Sequence, residues 1–219
     1  MRLYRGHVIA VVCFIMYCAL PVQANGPLFS RTPEQGPNSD FNRVLSRLVG
    51  PGVVRGKFIQ TKNLTSVSRK LTSSGSFLVS RSDGILWDTQ KPFPSVLVVG
   101  KQGIMQQGAS GKIVRMDGDG NPVFAQFSGA MRAVFSGNSS ELFSRFEVYF
   151  NSDQDVWWIG LIPRDTTVLQ VISRIILCGK DSLDNVDIIE PSGDSVKYAF
   201  THQTFSAGLT DEEKKFFER

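Results

Sequence analysis

The sequence predicts a mainly β protein with a few helices, built on one antiparallel sheet that is strongly curved or closed into a barrel. Three observations carry this. About nine short segments rich in Val, Ile and Phe recur at short spacing, punctuated by Gly, Ser and Asp. No helical pattern alternates with them, which excludes a parallel α/β design. One amphipathic segment interrupts the run in its middle.

The elements follow in order. Residues 1–24 have the layout of a secretory signal: Arg2 and Arg5 in front, an apolar run over 8–20, and small residues at Val22 and Ala24, with cleavage expected after Ala24. The run is short of the ~20 residues that span a bilayer. Cys18 lies near its end, but the preceding Ile15, Met16 and Tyr17 are too bulky for lipoprotein processing. Residues 25–39 are polar and broken by Pro and Gly, a flexible lead-in. Residues 40–219 read as a single domain, expected to be monomeric. Asp40 is placed to cap a short helix carrying Phe41, Val44, Leu45 and Leu48 at helical spacing, stopped by Gly50-Pro51-Gly52.

The strand texture then begins with VVRGKFIQT. In SGSFLVSRSDGILWDTQKP a strand pair carries Arg81 six residues before Trp87; SVLVVG and KIVRM follow. It returns in RFEVYFN, VWWIGLIP, VLQVISRIILCG, VDIIE and SVKYAF. Between the two groups, Asn121 and Pro122 stand as N-cap and first residue of a helix. Phe124, Phe127, Met131 and Phe135 line one face of that helix, the most lid-like element of the chain. The terminal LTDEEKKFFER reads as a short charged helix with a solvated face.

Composition narrows the function. Loss of the signal removes two arginines and no acid, so the net charge falls from +4 to +2, and nothing points to nucleic acid. Cys178 is then the one remaining cysteine, so no internal disulfide forms. Residues 63–65 and 138–140 match the glycosylation acceptor pattern, a short motif that arises by chance.

Catalytic groups are scarce. The mature chain holds one histidine, His202, and no G-x-S-x-G elbow. Neither His202 nor Cys178 has neighbours at metal-ligand spacing. Asp117, Asp119 and Asn121 begin like a calcium loop, but Pro122 and Ser128 stand where its Gly and Glu belong. No metal and no cofactor is expected. Sixteen phenylalanines and three tryptophans instead suggest a hollow apolar interior suited to acyl chains, each buried methylene contributing ~0.8 kcal/mol.

The order and spacing of several residues resemble the LolA family, periplasmic carriers of outer-membrane lipoproteins. They are Phe58 and Gln60 in GKFIQT, Gly75 and Phe77, Arg81 and Trp87, Pro92, the strand VLVVG, the DGNPVF segment, and Leu161-Ile162-Pro163. The likeness spans roughly residues 40–206. It implies an incomplete, strongly curved antiparallel half-barrel closed by a helical lid over a hydrophobic cavity, and no enzymatic activity. It implies a soluble periplasmic carrier for acylated lipoprotein or lipid cargo, with an inner-membrane ABC transporter as donor and an outer-membrane receptor as acceptor. Arg81 would be the lid latch, with Phe58, Phe77, Trp87, Phe124, Phe127 and Met131 lining the cavity.

The alternative for Arg81 is a strand-end arginine paired with Asp83 or Asp88. Ser82, Ile85 and the turn Gly100-Lys101-Gln102-Gly103 depart from the family pattern and leave the cargo open among lipoprotein, free lipid, glycolipid and lipid-linked polyketide. Two other readings are a hydrolase of lipids or acyl thioesters with His202 as base, and a lipid-sensing binding module.

Overall fold

The computed structural model describes residues 28–49, 52–67, 69–101, 103–116 and 138–218. Helix α1 spans Ser39–Val49. Six strands follow: β1 (Val53–Leu64), β2 (Arg69–Ser80), β3 (Gly84–Lys91), β4 (Ser95–Gly100), β5 (Gly103–Gly108) and β6 (Ile113–Met116). After the 117–137 segment come α2 (Ser139–Arg145), β7 (Phe146–Asp153), β8 (Val156–Pro163), α3 (Thr166–Leu169), β9 (Arg174–Gly179), β10 (Leu183–Ile189), β11 (Ser195–Ser206) and α4 (Asp211–Phe217). The lid helix expected from Asn121 onward lies outside the described residues, as does the signal segment.

Among the described residues, all the strands form one antiparallel, open eleven-stranded sheet in the order β6-β5-β4-β3-β2-β1-β11-β10-β9-β8-β7. Two meanders, β1–β6 and β7–β11, are thus joined in the middle by the pairing of β1 with β11. Most of the strands coincide with the apolar segments of the sequence. Strand β5 does not: GIMQQG is short and half polar, and pairing with β4 and β6 makes it a strand. Conversely, the front of VLQVISRIILCG is not strand. The Asp165 carboxylate accepts from the N–H groups of Thr167 and Val168, at 2.8 and 3.2 Å, and starts α3 there. Helix α1 also starts earlier than expected. Asn38, not Asp40, caps it, its Oδ1 accepting from the Phe41 N–H at 2.8 Å.

One face of the sheet carries the main core. Its residues follow from the register: Phe58 stands beside Phe200, Phe77 beside Trp87, and Trp87 beside Leu97. On the other side of the join, Val186, Leu177, Ile159 and Phe150 form a cross-strand row through β10, β9, β8 and β7. Helices cover this second half. Phe41 of α1 is fully buried, its ring 5.5 Å from both Phe150 of β7 and Phe143 of α2. Leu45, Leu48, Leu142 and Val168 are also sealed in this core. Each such side chain contributes about 1.5–3 kcal/mol by leaving water.

The opposite face carries a smaller cluster of Leu28, Tyr149 and Ile176, with Phe29 and Trp158 against it. Gly160 makes this packing feasible, because a Cβ there would lie 2.8 Å from the Phe29 ring. From Phe29 the chain crosses the free edge of β7, where the Glu34 N–H donates to the Val148 carbonyl at 2.8 Å. It reaches the other face as α1. The outermost strand of the second meander is thereby partly covered, as edge strands need to be.

Candidate functional site: an aromatic wall on one face of the sheet

Five aromatic side chains from four neighbouring strands meet on the main-core face. Trp87 of β3 lies at the centre: its ring is 4.4 Å from Phe58, 5.3 Å from Tyr198, and 6.0 Å from both Phe77 and Phe200. Phe77 and Phe200 meet edge to face at 5.1 Å. The backbone makes room for them. A Cβ on Gly56, which pairs with Phe77, would lie 2.6 Å from that ring, so only glycine lets it lie across β1.

Burial is graded across the wall. Phe58, Phe77 and Phe200 are buried, whereas Trp87, Tyr198, Leu97 and Val196 pack on them and remain partly accessible. An apolar surface of this breadth, incompletely closed, is suited to hold aliphatic chains. Burial pushes the Tyr198 hydroxyl up to about 12, so it stays protonated and adds no charge to the wall.

Three of the expected cavity residues, Phe58, Phe77 and Trp87, are thus brought together. The others, Phe124, Phe127 and Met131, lie outside the described residues. Tyr198 and Phe200 were not singled out from the sequence, although the period-two row Val196, Tyr198, Phe200 in SVKYAF carries the signal that places them on one face.

Arg81 is exposed, in the turn between β2 and β3, where its N–H donates to the Gly52 carbonyl at 3.0 Å. Neither acid considered as its partner pairs with it. The Asp83 carboxylate accepts from the Ser80 and Ser82 hydroxyls at 2.6 Å each, which holds it below the usual carboxylate range. The Asp88 carboxylate accepts from Gln90 and Ser76.

The arginine with a built environment is a different one. Arg55 Nε and Nη2 donate to the two carboxylate oxygens of Glu213, both at 2.6 Å, Nη1 donates to Ser206 Oγ, and Nη2 also reaches the Gly208 carbonyl. This fork ties α4 to the sheet and holds the Glu213 carboxyl down to about 2. Helix α4 is therefore anchored as well as solvated, because Glu213 also closes a capping box with Thr210. No signal in the local sequence joins positions 55 and 213.

The groups that a hydrolase would need are dispersed. His202 is exposed at a positive φ of 53° with Nδ1 beside the Thr201 hydroxyl, and Ser206 is engaged by Arg55. Cys178 lies on the opposite sheet face from the wall, level with Trp158, and burial pushes its thiol up to about 11. Among the described residues no three His, Cys, Asp or Glu side chains gather as a metal site.

No curated protein matches the chain. Among solved structures, a LolA superfamily protein from Nitrosomonas europaea is similar at 8% identity over 84% of this chain and 98% of its own, with a TM-score of 0.49. A DUF1329 family protein from Desulfovibrio piger is similar at 10% identity over 81% and 96%, TM-score 0.43. A chain in the MucA/MucB complex of Pseudomonas aeruginosa is similar at 13% over 80% and 60%, TM-score 0.48. The family model described as outer membrane lipoprotein carrier protein LolA matches residues 52–216, a span that runs from the start of β1 into α4. The chain belongs to the LolA family.

Proposed function

We propose that this protein is a periplasmic carrier that shelters the acyl chains of a lipoprotein or lipid against the aromatic wall and carries them from inner to outer membrane. The observation that carries the reading is the partial burial of Trp87, Tyr198, Leu97 and Val196 on an otherwise closed apolar face. Family membership supports it. In this reading the sheet curves into a half-barrel around the wall. The amphipathic segment bearing Phe124, Phe127 and Met131 is its lid, and Arg81 is the latch that holds the lid shut when the cavity is empty. A guanidinium suits that task, since it presents five donors in a fixed fork to lid carbonyls. The binding step involves no bond making or breaking. Residues 1–24 direct export and are removed. An inner-membrane ABC transporter supplies the cargo and an outer-membrane receptor takes it.

Native mass spectrometry of protein purified from the periplasm without detergent tests this reading. A co-purifying acylated molecule at about one per chain, lost in Trp87→Ala, is the expected result. Absence of any lipid, together with no uptake of a fluorescent fatty-acid probe by wild type or by Arg81→Leu, would overturn it. The latch has its own readout: Arg81→Leu should load the probe and release it more slowly than wild type.

A further inference from the structure

The hairpins β1–β2, β3–β4 and β5–β6 all turn at the same end of the sheet, as the antiparallel register requires. Each tip exposes an apolar side chain. Phe93 is 79% accessible between Pro92 and Pro94, Val67 62%, and Leu71 and Ile113 are also exposed. Basic residues stand directly beside them. Arg69 and Lys70 precede Leu71, Lys91 precedes Pro92, and Lys112 precedes Ile113, and all four basic residues are exposed.

No acid occurs in the stretches 62–71, 90–95 or 107–116 that build these tips. The acids around them are already engaged: Asp88 of β3 accepts from Gln90 and Ser76, and in the adjoining β10–β11 turn Glu190 pairs with Lys62 at 3.3 Å and Asp194 accepts from the Thr65 hydroxyl and N–H. Among the described residues, Arg69, Lys70, Lys91 and Lys112 form no ion pair. Lys91 pairs with Ser74, so β1–β2 runs five residues past β3–β4, about 16 Å at ~3.3 Å per residue. The β1–β2 tip therefore projects beyond the β3–β4 tip, whereas the β5–β6 turn starts at about the level of the β3–β4 turn.

We propose that this end of the sheet docks on an anionic bilayer, with Phe93 seated in the headgroup region and Arg69, Lys70, Lys91 and Lys112 on lipid phosphates. The charge selects the occupant. Apolar side chains spread over three hairpin tips, interspersed with cations that form no ion pair among the described residues, suit a protein partner poorly. They do fit a fluid surface that adapts to each tip. Neither the wall nor the opposite face is needed for this contact.

Sedimentation of the full mature protein with vesicles of phosphatidylethanolamine containing phosphatidylglycerol tests the proposal, against vesicles of phosphatidylcholine alone. Wild type should partition onto the anionic vesicles and be released by salt. Phe93→Ser should weaken binding about tenfold. Lys91→Gln and Lys70→Gln should each weaken it about fivefold. Phe93 is so exposed that the fold, followed by circular dichroism, and uptake of the fatty-acid probe should stay at wild-type level in Phe93→Ser. Equal partitioning onto neutral and anionic vesicles, no partitioning, or unchanged binding by Phe93→Ser would each overturn the proposal. So would a photo-crosslinker at position 93 that labels a protein rather than lipid in intact cells.

Discussion

The two halves of the main-core face are built from the same material and finished differently. Over β7–β10, helical residues close the face: Phe41, Leu45, Leu48, Leu142 and Val168 leave no accessible surface of consequence. Over β11 and β1–β4, aromatic rings from neighbouring strands pack on one another, and Trp87 and Tyr198 stay partly accessible. The first half is a core in the ordinary sense. The second has the composition of a core with less complete burial among the described residues, which in the proposed carrier leaves an apolar face available to an apolar guest.

The largest expected effect lies in the closed half. Leu142→Ala should cost about 3 kcal/mol in denaturant unfolding, since the side chain is fully buried and the cavity cannot collapse easily. Acyl-probe affinity of the surviving folded protein should change little. Trp87→Ala should invert that pattern, costing less, about 2 kcal/mol, because the side chain is only partly buried, while probe affinity falls about tenfold. Equal stability costs in the two variants would erase the distinction between the halves.

A smaller effect tests the tie between α4 and the sheet. Glu213 is held down to about 2 by the Arg55 hydrogen bonds, so its contribution is present above the ordinary carboxylate range and is lost as pH falls from about 4.5 toward 2. Glu213→Gln should cost about 1–2 kcal/mol at neutral pH and flatten that acid limb. Hydrogen exchange in α4 should report it first.

The smallest effect belongs to the opposite face. Asp187 is half-buried, its Oδ1 has no hydrogen bond, and Lys197 stands 3.9 Å away; burial raises its carboxyl above the usual range. Its charge therefore costs stability at neutral pH, and Asp187→Asn should change unfolding by no more than about 0.5 kcal/mol, toward stabilisation. A clear loss in thermal unfolding would mean that the Lys197 attraction outweighs the burial.

Much of this was legible in the chain. Alternating branched and aromatic residues marked most strands, and Phe58, Phe77 and Trp87 were singled out as cavity residues by the resemblance to the LolA family. Strand β5 was not legible, since GIMQQG becomes a strand only through its neighbours on both sides. Nor was the helical start at Asp165, where one capping carboxylate overrides an apolar run. Arg81 drew attention by its distance from Trp87, whereas Arg55 did not, because its partner lies at position 213.

Local side-chain chemistry determined, from the sequence alone, the mainly β class, the antiparallel hairpins and the shortage of catalytic groups, and the order and spacing of a few motifs carried the resemblance to the family. The tertiary structure decided which meander meets which, through the β1–β11 pairing. It also decided which half of the face is sealed and which acid Arg55 binds. Those outcomes depend on contacts between residues more than a hundred positions apart. Such contacts are fixed by the packing of the whole sheet and leave no periodic trace in either partner's own segment.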